Sequence, residues 1–364
     1  MSTTAEHERA GEALGERLFG AALGAFELMG VYLGDRLGLY RAMAGAGALT
    51  AAEVAERAGV AERYAREWLE QQAMAAILAV EDETAGDDER RYELPAGHVE
   101  ALTDEASLAF VAPVAQMVIA CARPLPALID AYRSGDGLPF ADYGEDLIDS
   151  QARFTAPMFD GLLAGDWLGA IGPVHERLTS EPPARVADVA CGEGRSSFAI
   201  ARGYPKVTVD GIDLDEASIR KAEAHRAGSG LEDRVRFHCR DAADPGLAGG
   251  YDLAFAFESL HDMSRPVDVL RAVRGLLAEG GCVVIGDERV ADRFTLDAGD
   301  VERFFYGCSI THCLPVGMVG EDPAGTGTVM RADTVRRYAT EAGFGGFEVL
   351  PIENDFYRFY RLVP

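Results

Sequence analysis

The sequence predicts an α/β protein, a doubly wound parallel-sheet domain preceded by an α-rich winged-helix domain, and three observations lead there. From residue 185 onward, short apolar runs alternate with helix-forming stretches, the order that a parallel sheet with crossover helices produces. The first of these runs, ARVADVA, ends in the glycine-bearing turn CGEGRSS, and a helix begins at once. Strand, tight turn and helix in that order open a Rossmann-like nucleotide-binding unit. Nearer the N-terminus, two short helices flank Gly59 and a turn-rich segment comes after them.

The apolar helix expected first runs over residues 10–45, where Leu14, Leu18, Phe19, Ala22, Phe26, Met29 and Leu33 recur at three-to-four spacing. Thr50 then caps AAEVAERAG, with Glu53 three residues on to complete a capping box. A second helix comes next in AERYAREWLEQQAMAAIL, and EDETAGDDERRYELP has the turns and short strand pieces of a wing. Residues 105–172 read as helix broken by SGDGLPFADYG, with Phe140 and Tyr143 in the break and Phe154, Phe159 and Trp167 after it. These aromatics serve either as packing core or as a lid over a substrate pocket. SEPP, at 180–183, marks a linker. The expected division is a winged-helix dimerisation domain over 1–104, a helical connector and lid over 105–172, and the sheet domain over 173–364.

Composition narrows the partners. Acidic residues outnumber basic ones 60 to 34, a net charge of −26, which opposes binding to phosphate backbones. Over residues 1–100 there are 19 acidic and 9 basic side chains, and the helix at the recognition position carries Glu62, Glu67 and Glu70 beside Arg63 and Arg66. A DNA-binding, cofactor-sensing regulator is therefore disfavoured, and the apolar N-terminal helix is expected to form a homodimer instead. No apolar run is expected to reach the roughly 20 residues of a bilayer span, since Gln116 and Arg123 interrupt the longest. The polar, acidic N-terminus lacks signal-peptide character, so a soluble cytoplasmic protein is expected. Six scattered cysteines without a CxxC pair suggest reduced thiols.

The strand ends carry the binding chemistry. Gly192 and Gly194 let backbone approach a ligand, because a Cβ would stand in the way. KVTVDGIDLD places Asp213 at the tip of the second strand, where a carboxylate accepts from both hydroxyls of a ribose. RVRFHCRDAAD puts Asp241 at the end of the third, and YDLAFAFESLHD and GGCVVIGDE form a fourth and a fifth. DVACGEG, GIDLD, RDA and GLLAEGGCVVIGDE together resemble the successive motifs of class I S-adenosylmethionine-dependent methyltransferases, over about residues 182–364. The resemblance implies a seven-stranded methyltransferase domain. It also implies that Asp188, Ala190, Gly192 and Gly194 cradle the amino-acid part of S-adenosyl-L-methionine, Asp213 holds the ribose, Asp241 with Ala242 holds the adenine, and Leu214 and Phe257 belong to the same site. Ala190 departs from the family, which has glycine there. A dehydrogenase would need GxGxxG, which is missing.

With the winged-helix module, the chain resembles small-molecule O-methyltransferases, in which the first domain dimerises. In them an His-Asp pair after the fourth strand supplies the base, which implies His261 and Asp262, with Asp287 orienting the base. An imidazole titrating near neutrality can take a hydroxyl's proton as the methyl moves. The second flanking carboxylate of the plant-type enzymes has no counterpart, since Val329 falls at its place. Glu258, three residues before His261, either caps the next helix, as strand-end acids often do, or faces the pocket. The chain also resembles the iron-dependent phenylpyruvate β-methyltransferase, through His261 and His312. That alternative implies C-methylation of a 2-oxo acid on a divalent or ferric ion held by His261 and His312. Arg133, just before SGDG, is either a solvated loop arginine or a partner for the substrate carboxylate. Phe154, Tyr306 and His312 complete the expected substrate-binding set.

Overall fold

The computed structural model describes residues 2–244, 246–247 and 249–364, with side chains from residue 6 onward in the first helix. The chain divides into two compact units, residues 1–119 and 120–364.

The first unit opens with one long helix, Ser2–Arg36, and a short one, Leu39–Met43. The helix pair comes next, at Ala51–Ala58 and Glu62–Met74, and the wing is a hairpin of β1 (Ala79–Val80) and β2 (Tyr92–Glu93). The expected capping box is present: Thr50 Oγ1 accepts from the Glu53 N–H, and the Thr50 N–H donates to Glu53 Oε2. Gly59 ends that helix at φ +70°, a left-handed position that glycine occupies without strain. Tyr40, Met43, Val54, Leu69 and Tyr92 form the buried centre. On the second helix of the pair, Arg63 pairs with Glu67, and Arg66 with Glu62 and Asp88, so both arginines already have acids beside them.

The first helix corrects one expectation. Its stretch Glu6–Arg36 is long and apolar enough by length and composition to cross a membrane, and only 17% of the apolar window is buried. Judging runs by uninterrupted apolar residues missed it, because glycine and alanine dilute the pattern without adding charge. Phe19 and Phe26, at 68% and 65% exposure, leave an apolar face uncovered.

The second unit is built on a seven-stranded sheet in the order β5-β4-β3-β6-β7-β9-β8. Its strands are β3 (Arg185–Val189), β4 (Thr208–Asp213), β5 (Val235–Cys239), β6 (Tyr251–Phe257), β7 (Leu277–Glu288), β8 (Gly346–Val349) and β9 (Tyr357–Val363). All neighbours are parallel except β9, which runs against β7 and β8. The winding order reverses between β3 and β6, which opens a crevice beyond the strands' carboxyl ends. Register aligns those ends: Val189 pairs with Ile212 and Ala256, Asp213 with Cys239, and Phe257 with Gly286.

Apolar residues cover both faces of the sheet, with Phe198, Ile200 and Phe255 in one layer and Leu270, Val273 and Val335 in the other. The helix Glu145–Met158 continues into a wider turn, Phe159–Trp167, next to its internal Pro157. A proline there removes one ladder hydrogen bond and clashes with the preceding turn, which favours the widening. Trp167 stacks on Phe257 with centroids 5.3 Å apart, and at 2% exposure it belongs to the core and not to a pocket wall.

Candidate active site

A cavity of about 810 Å³ lies along the carboxyl ends of the strands. Asp188, Ala190, Gly192, Asp213, Leu214, Asp241, Ala242 and Phe257 all line it. Asp188, buried, accepts from the hydroxyls of Ser196 and Ser197 at 2.6 and 2.5 Å. Burial pushes its carboxyl up to about 6, against those two hydrogen bonds. Asp213 accepts from the N–H groups of Gly192 and Asp215, both at 2.8 Å, so the turn after β3 is tied to the tip of β4. Burial raises this carboxyl too, above its ordinary value.

Gly192 sits at φ +54° with open space where a Cβ would stand, which is the room a ligand needs. Gly194 is different: it does not line the cavity, and a Cβ there would lie 2.4 Å from the Phe237 ring. Its smallness serves packing between the turn and β5. Ala190 adopts φ +56°, the left-handed backbone that a glycine would hold without strain.

The other end of the cavity is lined by Phe140, Ile148, Phe159, Met263, Val316 and Val319, with Glu258, Ser259 and Asp262 among them. Each arginine on the wall faces an acid: Arg195 lies 3.7 Å from Glu193, Arg240 lies 3.2 Å from Asp244, and Arg265 pairs with Asp268. Among the described residues no lysine lines the cavity.

Behind that wall stands His261, 2% exposed, on the short turn Leu260–Asp262 that comes after β6. Its Nδ1 lies 2.7 Å from Asp287 Oδ1 and 3.0 Å from Glu288 Oε2; its Nε2 lies 3.1 Å from Asp262 Oδ1. One N–H cannot point at both β7 carboxylates, and the aligned bond goes to Asp287. Burial works against charge on the ring, but Asp287, Glu288 and Asp262 outweigh it and hold His261 well above its ordinary value. Asp262 is held below its ordinary value: burial would raise it, and the His261 charge prevails.

Glu258, at the end of β6, adopts φ +47°, an unfavourable backbone for a glutamate. Its N–H donates to Gly286 O, and its Oε1 accepts from the Tyr357 hydroxyl at 2.6 Å. The carboxyl is pushed up to about 7, by burial first, with the Tyr357 bond and His261 pulling down and Asp287 and Asp262 adding to the rise. Neither Tyr357 nor Glu288 stood out in the sequence. The doubled acid of GDE was a readable hint for Glu288, whereas nothing local marks Tyr357.

Four expected substrate residues lie off the wall. Arg133 is exposed and pairs with Asp130, because its helix ends at Gly135 with that face toward solvent. Phe154 is half-buried and does not line the cavity. Tyr306 is turned toward Phe294 and Arg331. His312, 3% exposed, packs edge-on against Tyr143 and Phe140, and its Nε2 has no hydrogen-bond partner. Burial holds it below its ordinary value despite Asp262 nearby. Donor atoms of His261, Asp262 and Cys313 approach within 4.8 Å of one another, as do those of His261, Asp287 and Glu288; His312 belongs to neither group.

Comparison with known proteins gives two family matches, a methyltransferase domain over residues 180–333 and a Rv2258c-like winged HTH domain over residues 24–104. The 27-O-demethylrifamycin SV methyltransferase of Amycolatopsis mediterranei is 32% identical over 104 residues, 28% of this chain and 38% of that protein. The ubiquinone biosynthesis O-methyltransferase of Bordetella avium is 36% identical over 121 residues, 32% of this chain and 49% of that protein. The chain thus spans less than half the length of the curated relatives it matches. Among solved structures, mitomycin 7-O-methyltransferase MmcR superposes with a TM-score of 0.68 at 18% identity, covering 97% of this chain and 98% of that one. Human N-acetylserotonin methyltransferase, in complex with SAM, gives 0.70 at 17% identity, covering 96% and 97%. These likenesses show the fold.

Proposed function

We propose that this chain, which carries a methyltransferase domain after a winged helix-turn-helix domain, transfers the methyl group of S-adenosylmethionine to a hydroxyl of a small, largely apolar acceptor. One observation carries the reading: a single cavity joins the strand-end acids Asp188, Asp213 and Asp241 to an apolar compartment that holds Glu258 and Asp262. The open space at Gly192 and the carboxylate of Asp213 fit an amino-acid group and a ribose. The bound cofactor supplies a sulfonium methyl, an electrophile that needs no further activation.

The chain's own work is alignment, exclusion of water and handling of one proton. Phe140, Ile148, Phe159 and Val316 hold an apolar ring and keep water out. Asp262 lies on the same wall beside His261 and holds the acceptor in line by accepting from a second polar group on it, which leaves the reacting hydroxyl free to donate elsewhere. His261 acts through Asp262, as a charged support whose other nitrogen is fixed by Asp287, with Glu288 close by. Incubation with methyl-labelled cofactor and a panel of phenols tests the reading. The product is expected to gain the mass of one CH₂ and the label, and activity is expected to survive EDTA. A product altered without that gain contradicts it.

The metal-dependent alternative, C-methylation of a 2-oxo acid, rests on His261 and His312. The orphaned Nε2 of His312 favours it, while the donors gathered about His261 are acids and Cys313. Stoichiometric metal that is lost in His312→Ala, together with loss of activity in EDTA, would replace the leading reading with this one.

The exposed face of the first helix supports a homodimer, since a monomer in water would leave Phe19, Phe26 and their neighbours wet. Sedimentation is expected to give twice the chain mass, and Phe19→Arg with Phe26→Arg is expected to give monomers. Detergent-dependent solubility of the unmodified protein would point to a membrane as the cover instead.

A further inference from the structure

The obvious proton acceptor, His261, is badly placed to receive anything from the cavity. Both ring nitrogens already face carboxylates, at 2.7, 3.0 and 3.1 Å, and the ring does not line the wall. Glu258 has the opposite situation. The residue lines the cavity and is half-buried. One oxygen is fixed by the Tyr357 hydroxyl, and the strained backbone that aims the side chain is anchored by Gly286. Strain of this kind persists only where the surroundings enforce it, and it concentrates at working sites.

We infer that Glu258 takes the acceptor's proton and that Tyr357 is its positioning residue. This deepens the methyl-transfer reading of the cavity and rests on it. As the acceptor oxygen bonds the methyl carbon, the carbon–sulfur bond breaks and sulfur keeps the electron pair. The hydroxyl proton passes to the Glu258 carboxylate. The sulfonium charge and the carboxylate charge disappear together, leaving an ether, a thioether and a neutral carboxyl.

The groups facing Glu258 fit that role. Tyr357 on β9 donates to it, and His261 favours its ionised form. Asp262 beside His261 and Asp287 on β7 favour the protonated form, and Cys308 lies near enough to interact. Burial and these opposing charges leave the carboxyl titrating at about 7. A base is most effective when it titrates close to the working pH. The rate is therefore expected to rise with pH through neutrality and level off above it.

Two measurements test the inference. The first needs no acceptor: infrared difference spectra of the purified protein, alone and with S-adenosylhomocysteine, across about pH 5 to about pH 9. Asp188 and other raised acids are expected to contribute carboxyl bands in this range, and one band is expected to vanish in Glu258→Gln and to titrate at higher pH in Tyr357→Phe, which lacks the donor that favours the carboxylate. A Glu258→Gln spectrum that loses no titrating band overturns the inference whether or not methylation has been found. The second uses 3,4-dihydroxybenzaldehyde with methyl-labelled cofactor. Glu258→Gln is expected to lose roughly 10²- to 10⁴-fold in kcat, with a cooperative melting transition retained as proof of folding. Tyr357→Phe is expected to lose less activity than Glu258→Gln and to shift the acid limb of its pH profile upward. A wild-type protein that methylates while Glu258→Gln does so equally well overturns the inference and leaves the methyl-transfer reading standing. A titrating Glu258 in a protein that methylates no hydroxyl fails that reading instead, and with it the catalytic part of the inference.

Discussion

His261→Ala is expected to destabilise the fold by about 3–5 kcal/mol at neutral pH, because it removes the cation from a nest of buried carboxylates. Asp287 and Glu288 are 1% and 6% exposed, and Asp262 borders them from the other side. With the imidazole gone, negative groups would face one another in a poorly solvated space. Methyl transfer is expected to fall by roughly 10²-fold or more, since Asp262 loses the support that fixes its direction. The pH dependence separates this from simple loss of packing. In the native protein His261 is raised above its unfolded value, so its contribution is complete below about pH 6.5 and is lost as pH climbs through the folded-state value. Native stability is thus expected to decline in the alkaline range. His261→Ala should behave differently in acid: it should regain stability as pH falls, because Glu288, already raised by burial, takes up a proton and relieves the repulsion. Thermal melts of both proteins across pH check this. Parallel curves with a constant offset would mean that the ring matters for volume alone.

The strand ends were legible from sequence because a parallel sheet imposes a simple rule: the residues just past each apolar run face the crevice. Asp188, Asp213 and Asp241 each lie at the end of such a run, and all three line the cavity. Thr50 and Glu53 were legible for a similar reason, since a capping box is complete within four residues. Long-range pairing was not. Tyr357 meets Glu258 across 99 positions, through a β9 register that sets Tyr357 opposite Glu288. No local pattern encodes that register. Gly194 was read as ligand-facing because a turn glycine's two uses look alike in sequence; only the Phe237 ring distinguishes them. Arg133 and Tyr306 were assigned from position near a glycine break or on an apolar helix. Such positions do not say which way a side chain turns, and both turn toward acids, arginine or aromatics elsewhere.

Asp213→Ala is the other large effect expected, and it falls on binding. Its carboxylate holds the N–H groups of Gly192 and Asp215 while lining the cavity. Removing it orphans two backbone donors and takes away the acceptor for a ribose diol. A hydrogen bond to a charged group contributes about 1.5–3 kcal/mol, so loss of the ribose contacts is expected to weaken cofactor binding by about 10²-fold or more. Gly192, released from its tie, should also become freer to move, which adds to the loss. The turnover defect should therefore appear as a raised cofactor KM, whereas Glu258→Gln should act on kcat.

The crevice beyond the strand ends is the proposed cofactor site, organised by Asp213. Calorimetric titration of S-adenosylhomocysteine into the native protein and into Asp213→Ala tests it most directly. One saturable site per chain in the native protein, weakened by about 10²-fold or more in the variant, is the expected result. No saturable binding to the native protein, or equal affinity in the two, would contradict it.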